Sequence, residues 1–108
     1  MLILFDNGTP APLRYNLKRH TVVEAIERGW DRLGNGELLA LAEAAGFEVI
    51  LTTDKNMRYQ QDLKGRKIAF VVLGNSQWPA VRRYVERVVV AVDAATPGSY
   101  TEVGIPFQ

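Results

Sequence analysis

Short apolar runs alternate with helix-like stretches along the chain. Leu2 to Phe5 is the first such run, and turn residues at Asn7-Gly8 close it. A strand that is apolar at every position is buried on both faces, which is typical of a parallel sheet covered by helices. The alternation therefore predicts an α/β fold, with a mostly parallel sheet and helices on its faces. Further runs that we predict to be strands occupy residues 21–23, 47–52, 67–73 and, as an edge strand, 99–105.

Two helices are predicted from periodicity and end signals. Asn35 is a plausible N-cap for an apolar stripe of Leu and Ala, and Gly46 is a plausible stop. From Pro79 onward, valines and Tyr84 recur at spacings of three and four, which predicts one long amphipathic helix ending near Ala95. A shorter helix is predicted over residues 12–18, and one irregular helical turn over residues 56–64.

Composition narrows the class of protein. A chain of 108 residues with 47% hydrophobic and 23% charged residues fits one globular domain, residues 1–108. The formal charge of +1 favours no class of charged partner, so nucleic-acid binding would need a local patch. The absence of Cys excludes disulfides and Cys nucleophiles and makes a cytoplasmic location the default expectation. The opening run before Asp6 is too short for a signal peptide or a membrane span, so no membrane partner is expected.

Three carboxylates are the candidates for chemistry. Asp6 and Asp54 follow predicted strands, and Glu37 is expected in the first turn of a helix. Ligand sites in open parallel sheets lie beyond the carboxyl ends of the strands, so all three could meet there. Gathered carboxylates repel one another, and a divalent cation such as Mg²⁺ or Mn²⁺ relieves that repulsion and can activate water against a phosphodiester. The alternative is that Glu37 interacts with its helix N-terminus while Asp6 and Asp54 cap turns.

Three segments resemble the compact PIN-like nuclease family, in order and in spacing. They are FDNGTP (5–10), NGELLALAEAAGF (35–47) and ILTTDKN (50–56), and the resemblance extends over most of the chain. It implies a three-layer α/β/α sandwich and a ribonuclease whose metal-binding and catalytic residues are Asp6, Glu37 and Asp54, with Mg²⁺ or Mn²⁺ as the cofactor. It also implies the toxin of a toxin–antitoxin pair as one context, with an antitoxin protein as partner.

The chain departs from the family pattern at positions where acids are usual. Asn7 follows Asp6 where many such sequences have Glu, and Asn35-Gly36 stands where a further acid precedes the helix. Asn75 and Ser76 follow a later strand where a fourth acid is common. These differences keep open an alternative function, a catalytically inactive PIN-like binding or assembly module.

Cationic residues near Asp54 suggest a nucleic-acid contact. Lys55 and Arg58 could guide an RNA backbone toward the acids, with Tyr59 as a stacking platform, although a solvated basic loop is an equal alternative. Arg14, Lys18 and Arg19 could extend this patch from the first helix, although an ordinary exposed helix face is the favoured alternative. A homodimer is also possible, because an apolar edge at Val103 to Ile105 would leave a C-terminal surface in need of cover.

Other residues point to structural roles or to families that fit less well. Trp78 beside Pro79 is expected to pack at a helix start, and His20, the only histidine, to cap a helix end. The acids also resemble the pocket of response-regulator receivers, but Asn7 replaces their second acid and the last predicted strand contains no Lys.

Overall fold

Five parallel strands form the centre of the molecule. A computed structural model describes residues 1–56 and 65–106. The strands form one sheet in the order β2-β1-β3-β4-β5, and every neighbouring pair is parallel. This confirms the predicted α/β class with a parallel sheet. The strands are β1 (Leu2–Phe5), β2 (Thr21–Glu24), β3 (Val49–Thr52), β4 (Ala69–Leu73) and β5 (Tyr100–Val103).

Two interior strands, β3 and β4, are buried at every position, as their almost wholly apolar sequences predicted. Successive side chains point to opposite faces of the sheet, so each strand contributes to two cores. In β3, Val49 and Leu51 belong to one hydrophobic cluster and Ile50 to the other. The sheet therefore has to be covered on both faces.

Helices provide that cover. One face packs against α1 (Asn35–Ala44) and the 3-10 helix Ala25–Arg28. The opposite face packs against α2 (Trp78–Arg83), α3 (Val85–Asp93) and the 3-10 helix Ala11–Asn16. The 3-10 helix Ala11–Asn16 lies where a short helix was predicted over residues 12–18.

The prediction of one long helix from Pro79 was wrong, because the helix is divided at Tyr84. That residue has φ −118° and ψ 24°, outside the helical range, and its N–H bonds the Val81 carbonyl. The buried residues Val81 and Val88 lie about two helical turns apart, so they face the core in a broken helix as in a continuous one. Periodicity alone therefore could not reveal the break.

The ends of α1 follow the prediction in part. Gly46 has φ +85°, the left-handed conformation that favours glycine after a helix, which agrees with its predicted role as a stop. The N-cap is Gly34 and not Asn35, which is the first helical residue and directs its side chain to another loop.

The edge strand β5 is formed as predicted, but its apolar residues do not leave a bare surface. Val103 and Ile105 are 5% and 4% exposed and belong to the core. The argument for a homodimer from this surface is therefore wrong, and a homodimer stays a prediction. Among residues 1–56 and 65–106, no helix is long and apolar enough to cross a membrane.

Candidate functional site

Asp6 directly follows β1, and Asp54 lies shortly after the end of β3. These two strands are neighbours in the sheet. In the strand order β2-β1-β3-β4-β5, β2 lies on one side of β1, and β3 to β5 lie on the other. The order of the strands therefore reverses direction at β1, and the region beyond the carboxyl ends of β1 and β3 is the topological switch point. The Asp6 N–H extends the pairing by bonding the Leu51 carbonyl at 2.9 Å. The two acids therefore lie where open α/β sheets place their ligands, at what we call the carboxyl edge of the sheet.

The Thr52 hydroxyl connects the two acids. Its Oγ1 donates to Asp6 Oδ2 at 2.9 Å and accepts the Asp54 N–H at 3.0 Å. Thr52 is 0% exposed, so this bridge is shielded from water. Sequence reasoning missed its role, although a hydroxyl at the last position of an apolar strand was the available signal.

Asp6 carries a charge that the fold makes costly. Partial burial is the main cause that raises the pKa of Asp6 above its ordinary value of 3.8, and the negative charge of Asp54 raises it further. Hydrogen bonds from Thr52 and from the Asn7 N–H, the latter at 2.8 Å, lower it and offset part of this effect. A proton or a cation would relieve the remaining cost.

Asp54 is held by two nitrogen donors. Its Oδ2 accepts from Asn35 Nδ2 at 3.1 Å, and its Oδ1 accepts from the Asn56 N–H at 2.9 Å. From the sequence, Asn35 was predicted to be an N-cap and was noted as a replacement for an acid, and neither interpretation gave it a contact with Asp54. In the structure its amide donates a hydrogen bond to Asp54, which an ionised carboxylate at that position could not do.

Glu37 lies in the first turn of α1, as predicted, and is exposed. Within the described part of the chain, no group of three or more His, Asp or Glu side chains is arranged to hold a metal ion. The structure thus brings Asp6 and Asp54 together, and among the described residues Glu37 does not complete a three-acid group with them.

The loops that carry the acids are packed against their neighbours. Gly8 has φ +86°, and a Cβ there would lie 2.9 Å from Thr53 Oγ1. The site therefore requires glycine at this turn, both for its conformation and for the close approach of the two loops. On the other side, Asn7 Nδ2 donates to the Asp31 carbonyl. The loops at the carboxyl edge are consequently packed against one another and are not independent turns.

A second group of acids lies at the end of β2, and it contains its own cation. Arg14 Nη1 lies 3.0 Å from Glu24 Oε2 and 3.0 Å from Glu27 Oε1, while its Nη2 donates to the Val22 carbonyl. Glu24 is thereby committed to an ion pair. Arg14 is committed as well, which argues against its extending a nucleic-acid patch.

Lys55 is exposed beside Asp54 and lines a shallow depression of about 220 Å³ with Thr53, Gly74 and Ser76. This position is compatible with contact to a ligand at the carboxyl edge. Arg58 and Tyr59, the other residues of the predicted patch, lie outside the described residues. Asn75 occupies a position where the PIN-like family commonly has a fourth acid. It is buried, and its Oδ1 accepts a hydrogen bond from the Gln77 N–H at 2.8 Å.

His20 and Trp78 take no part in the site. His20 precedes β2, at the amino edge of the sheet, and its Nε2 lies 2.8 Å from Oδ1 of Asp93, the last residue of α3. It thus pairs with a side chain instead of capping the preceding helix. A cavity of about 550 Å³ lies here, and it is lined by Lys18, Arg19 and His20 and not by Asp6 or Asp54. Trp78 packs against the core, as predicted.

The strand order is also that of the doubly wound receivers considered from the sequence. The residues do not fit a receiver pocket, because β5 (Tyr100–Val103) contains no Lys. No family model matches the chain, and comparisons with curated proteins and with solved structures also find no match.

Proposed function

We propose that the protein is a Mg²⁺- or Mn²⁺-dependent ribonuclease of the PIN-like kind, with its site at the carboxyl edge of the sheet. The observation that supports this most is the pair Asp6 and Asp54, placed at the topological switch point and joined through the buried Thr52 hydroxyl. A three-layer PIN-like sandwich accommodates the parallel sheet and the helices on its two faces.

The donor set fits a hard divalent cation. Carboxylate oxygens of Asp6 and Asp54 are the ligands such ions prefer, and no cation among the described residues forms an ion pair with either acid. A bound ion would polarise the phosphodiester and lower the pKa of a water molecule. Thr52 and Asn35 orient the two carboxylates, and Glu37 acts from the first turn of α1 by orienting water.

The cellular context belongs to the same proposal. A cytoplasmic toxin whose activity is restrained by an antitoxin protein would suit a small RNA-cleaving domain of this kind. The support for this context is the resemblance of residues 5–10, 35–47 and 50–56 to the PIN-like family. The contacts of Asp6 and Asp54 support the proposed reaction and do not bear on the cellular context.

Calorimetric titration with Mn²⁺ tests the site directly. We expect millimolar or tighter binding to the wild type and none to Asp6→Ala, because removal of one of two carboxylate ligands leaves too few charged oxygens. Glu86→Ala is the matched control, since it removes an exposed acid from α3 on the helical layer. Equal Mn²⁺ binding by Asp6→Ala and the wild type would contradict the proposal.

A second candidate function is a catalytically inactive PIN-like binding or assembly module. It is favoured by one observation, that the described residues contain no three-acid group able to hold a metal. This candidate predicts no Mn²⁺ binding and no metal-dependent cleavage of RNA by the wild type. The same titration, followed by a cleavage assay, therefore separates the two functions.

A further inference from the structure

Arg32 lies in a segment that is attached at two points to the loops carrying the acids. Asn7, which donates its N–H to Asp6, uses its side-chain amide to bond the carbonyl of Asp31. Beyond Arg32, the segment leads into α1, where Asn35 bonds Asp54. Arg32 therefore directly follows a residue that is bonded to the Asp6 loop.

The segment that carries Arg32 is well supported by packing. Trp30 packs edge-on against the buried Phe47 with ring centroids 6.0 Å apart, and the Arg28 guanidinium lies 5.5 Å from the Trp30 ring centroid. The Leu33 N–H bonds the Trp30 carbonyl at 3.2 Å, which closes a turn around Arg32. Arg32 thus extends from an ordered backbone, which lowers the entropic cost of binding a ligand.

The Arg32 side chain is available for a ligand. It is exposed and makes no ion pair or hydrogen bond with any residue in ranges 1–56 and 65–106. Arg14 and Arg28 differ from it, since the first pairs with two carboxylates and the second stacks on aromatic rings. A guanidinium beside a site for phosphodiesters is suited to bidentate contact with phosphate oxygens.

We propose that Arg32 binds a backbone phosphate of the single-stranded RNA whose scissile bond lies over Asp6 and Asp54, an inference that rests on the proposed function. Lys55 lies toward β4 and β5, where it lines depressions with Gly74 and Glu102. Arg32 lies in the connection from β2 to α1, on the other side of the acids in the sheet order. The two cations therefore bracket the carboxylates, and a strand that crosses the crevice meets both.

The test measures binding of a fluorescently labelled single-stranded oligouridylate by anisotropy, in EDTA and over a series of salt concentrations. Arg32→Ala should weaken binding about tenfold, the loss expected for one charged hydrogen-bonded contact. It should also reduce the slope of log K against log salt by about 0.7, the value for one phosphate contact on a single strand. Arg32→Lys should keep the slope, because it keeps the charge.

Arg19→Ala is the matched control, because Arg19 is also exposed and lies just before β2, at the amino edge of the sheet. It should leave affinity and slope unchanged, and thermal melting should show that all variants are folded. The inference is overturned if Arg32→Ala binds as the wild type does, if Arg19→Ala loses as much affinity, or if the wild type does not bind the oligonucleotide.

Failure of the nuclease proposal would look different. If Arg32→Ala weakens binding while the wild type shows no Mn²⁺-dependent cleavage, the phosphate contact stands and the catalytic function falls. If the wild type cleaves RNA with Mn²⁺ and Arg32→Ala retains both its KM and its salt slope, the nuclease stands and the role of Arg32 falls.

Discussion

Two pairs of acids at the carboxyl ends of the strands have opposite electrostatic environments. One pair is Glu24 and Glu27, at the end of β2, and the other is Asp6 and Asp54, after β1 and β3. Glu24, at the end of β2, lies in register with Phe5 of β1, and it shares one Arg14 guanidinium with Glu27. Asp6, the residue after Phe5, shares the Thr52 hydroxyl with Asp54, and no cation in the described part of the chain forms an ion pair with either acid. The hydrogen bond from Arg14 holds the pKa of Glu27 below its usual value, whereas burial raises the pKa of Asp6.

This difference shows how the fold separates acids that are neutralised within the chain from acids that can bind a cation from solution. The charge at the β2 end is neutralised by a residue of the chain itself, so an external cation would gain little there. Among residues 1–56 and 65–106, the charge at the carboxyl edge between β1 and β3 is offset by hydrogen bonds and not by an ion pair, so a cation from solution can stabilise it. Cavity size does not follow this difference, since a cavity of about 550 Å³ lies at the amino edge and is lined by neither pair of acids.

The largest expected effect comes from Asp54→Asn. Loss of one carboxylate at the crevice should lower Mn²⁺-dependent RNA cleavage by about 100-fold or more, since even residues behind metal ligands can matter tenfold to 100-fold. Mn²⁺ should raise the melting temperature of the wild type but not of the variant, because a ligand that binds only the folded state stabilises it. Cleavage rates and melting curves with and without Mn²⁺ provide the measurement.

Glu27→Gln is the control for that result, because it removes one charge from the acids that Arg14 already neutralises. This variant should retain cleavage and the Mn²⁺-induced rise in melting temperature. If Glu27→Gln lost both while Asp54→Asn kept them, the comparison between the two pairs would be reversed.

The pH dependence of stability should have opposite signs at the two pairs. The folded protein holds the Asp6 proton more tightly than the unfolded chain, so ionisation of Asp6 costs stability as the pH rises from 3.8 through its raised pKa. Asp6→Asn should therefore gain melting temperature relative to the wild type over that range. Thermal melts at closely spaced pH values, in the absence of divalent metal, measure this difference.

Glu27 provides the contrasting curve. Its lowered pKa means that its ionised form stabilises the fold above the ordinary value of 4.5, and that this stability is lost as the pH falls through the folded-state pKa. Glu27→Gln should thus melt below the wild type at neutral pH and approach it in acid. Parallel curves for Asp6→Asn and Glu27→Gln would show that the two pairs do not differ.

The smallest expected effect is that of Glu37→Gln, because Glu37 is exposed and outside any three-acid group among the described residues. A residue that acts on the metal through water should change Mn²⁺ affinity or cleavage by about tenfold. Calorimetry and a cleavage assay measure this. A loss as large as that of Asp54→Asn would make Glu37 a direct ligand, and no change in either quantity would remove it from the site.

Local sequence alone determined much of the fold. Largely apolar runs such as Leu2–Phe5 and residues 47–52 predicted buried parallel strands, because a strand covered on both faces has no polar side. The stop of α1 at Gly46 was predictable for a similar reason, since few other residues adopt its left-handed conformation. The positions of Asp6 and Asp54 at strand ends followed from these elements.

Tertiary structure alone decided which partners the acids have. Thr52 bridges Asp6 and Asp54 because β1 and β3 are neighbours, and strand order cannot be read from local patterns. In the same way, Asn35 reaches Asp54 only because the start of α1 lies beside the end of β3. Arg14 meets Glu24 across a chain reversal. Such contacts join residues distant in sequence, and their electrostatics depend on burial and separation, which exist only once the chain has folded.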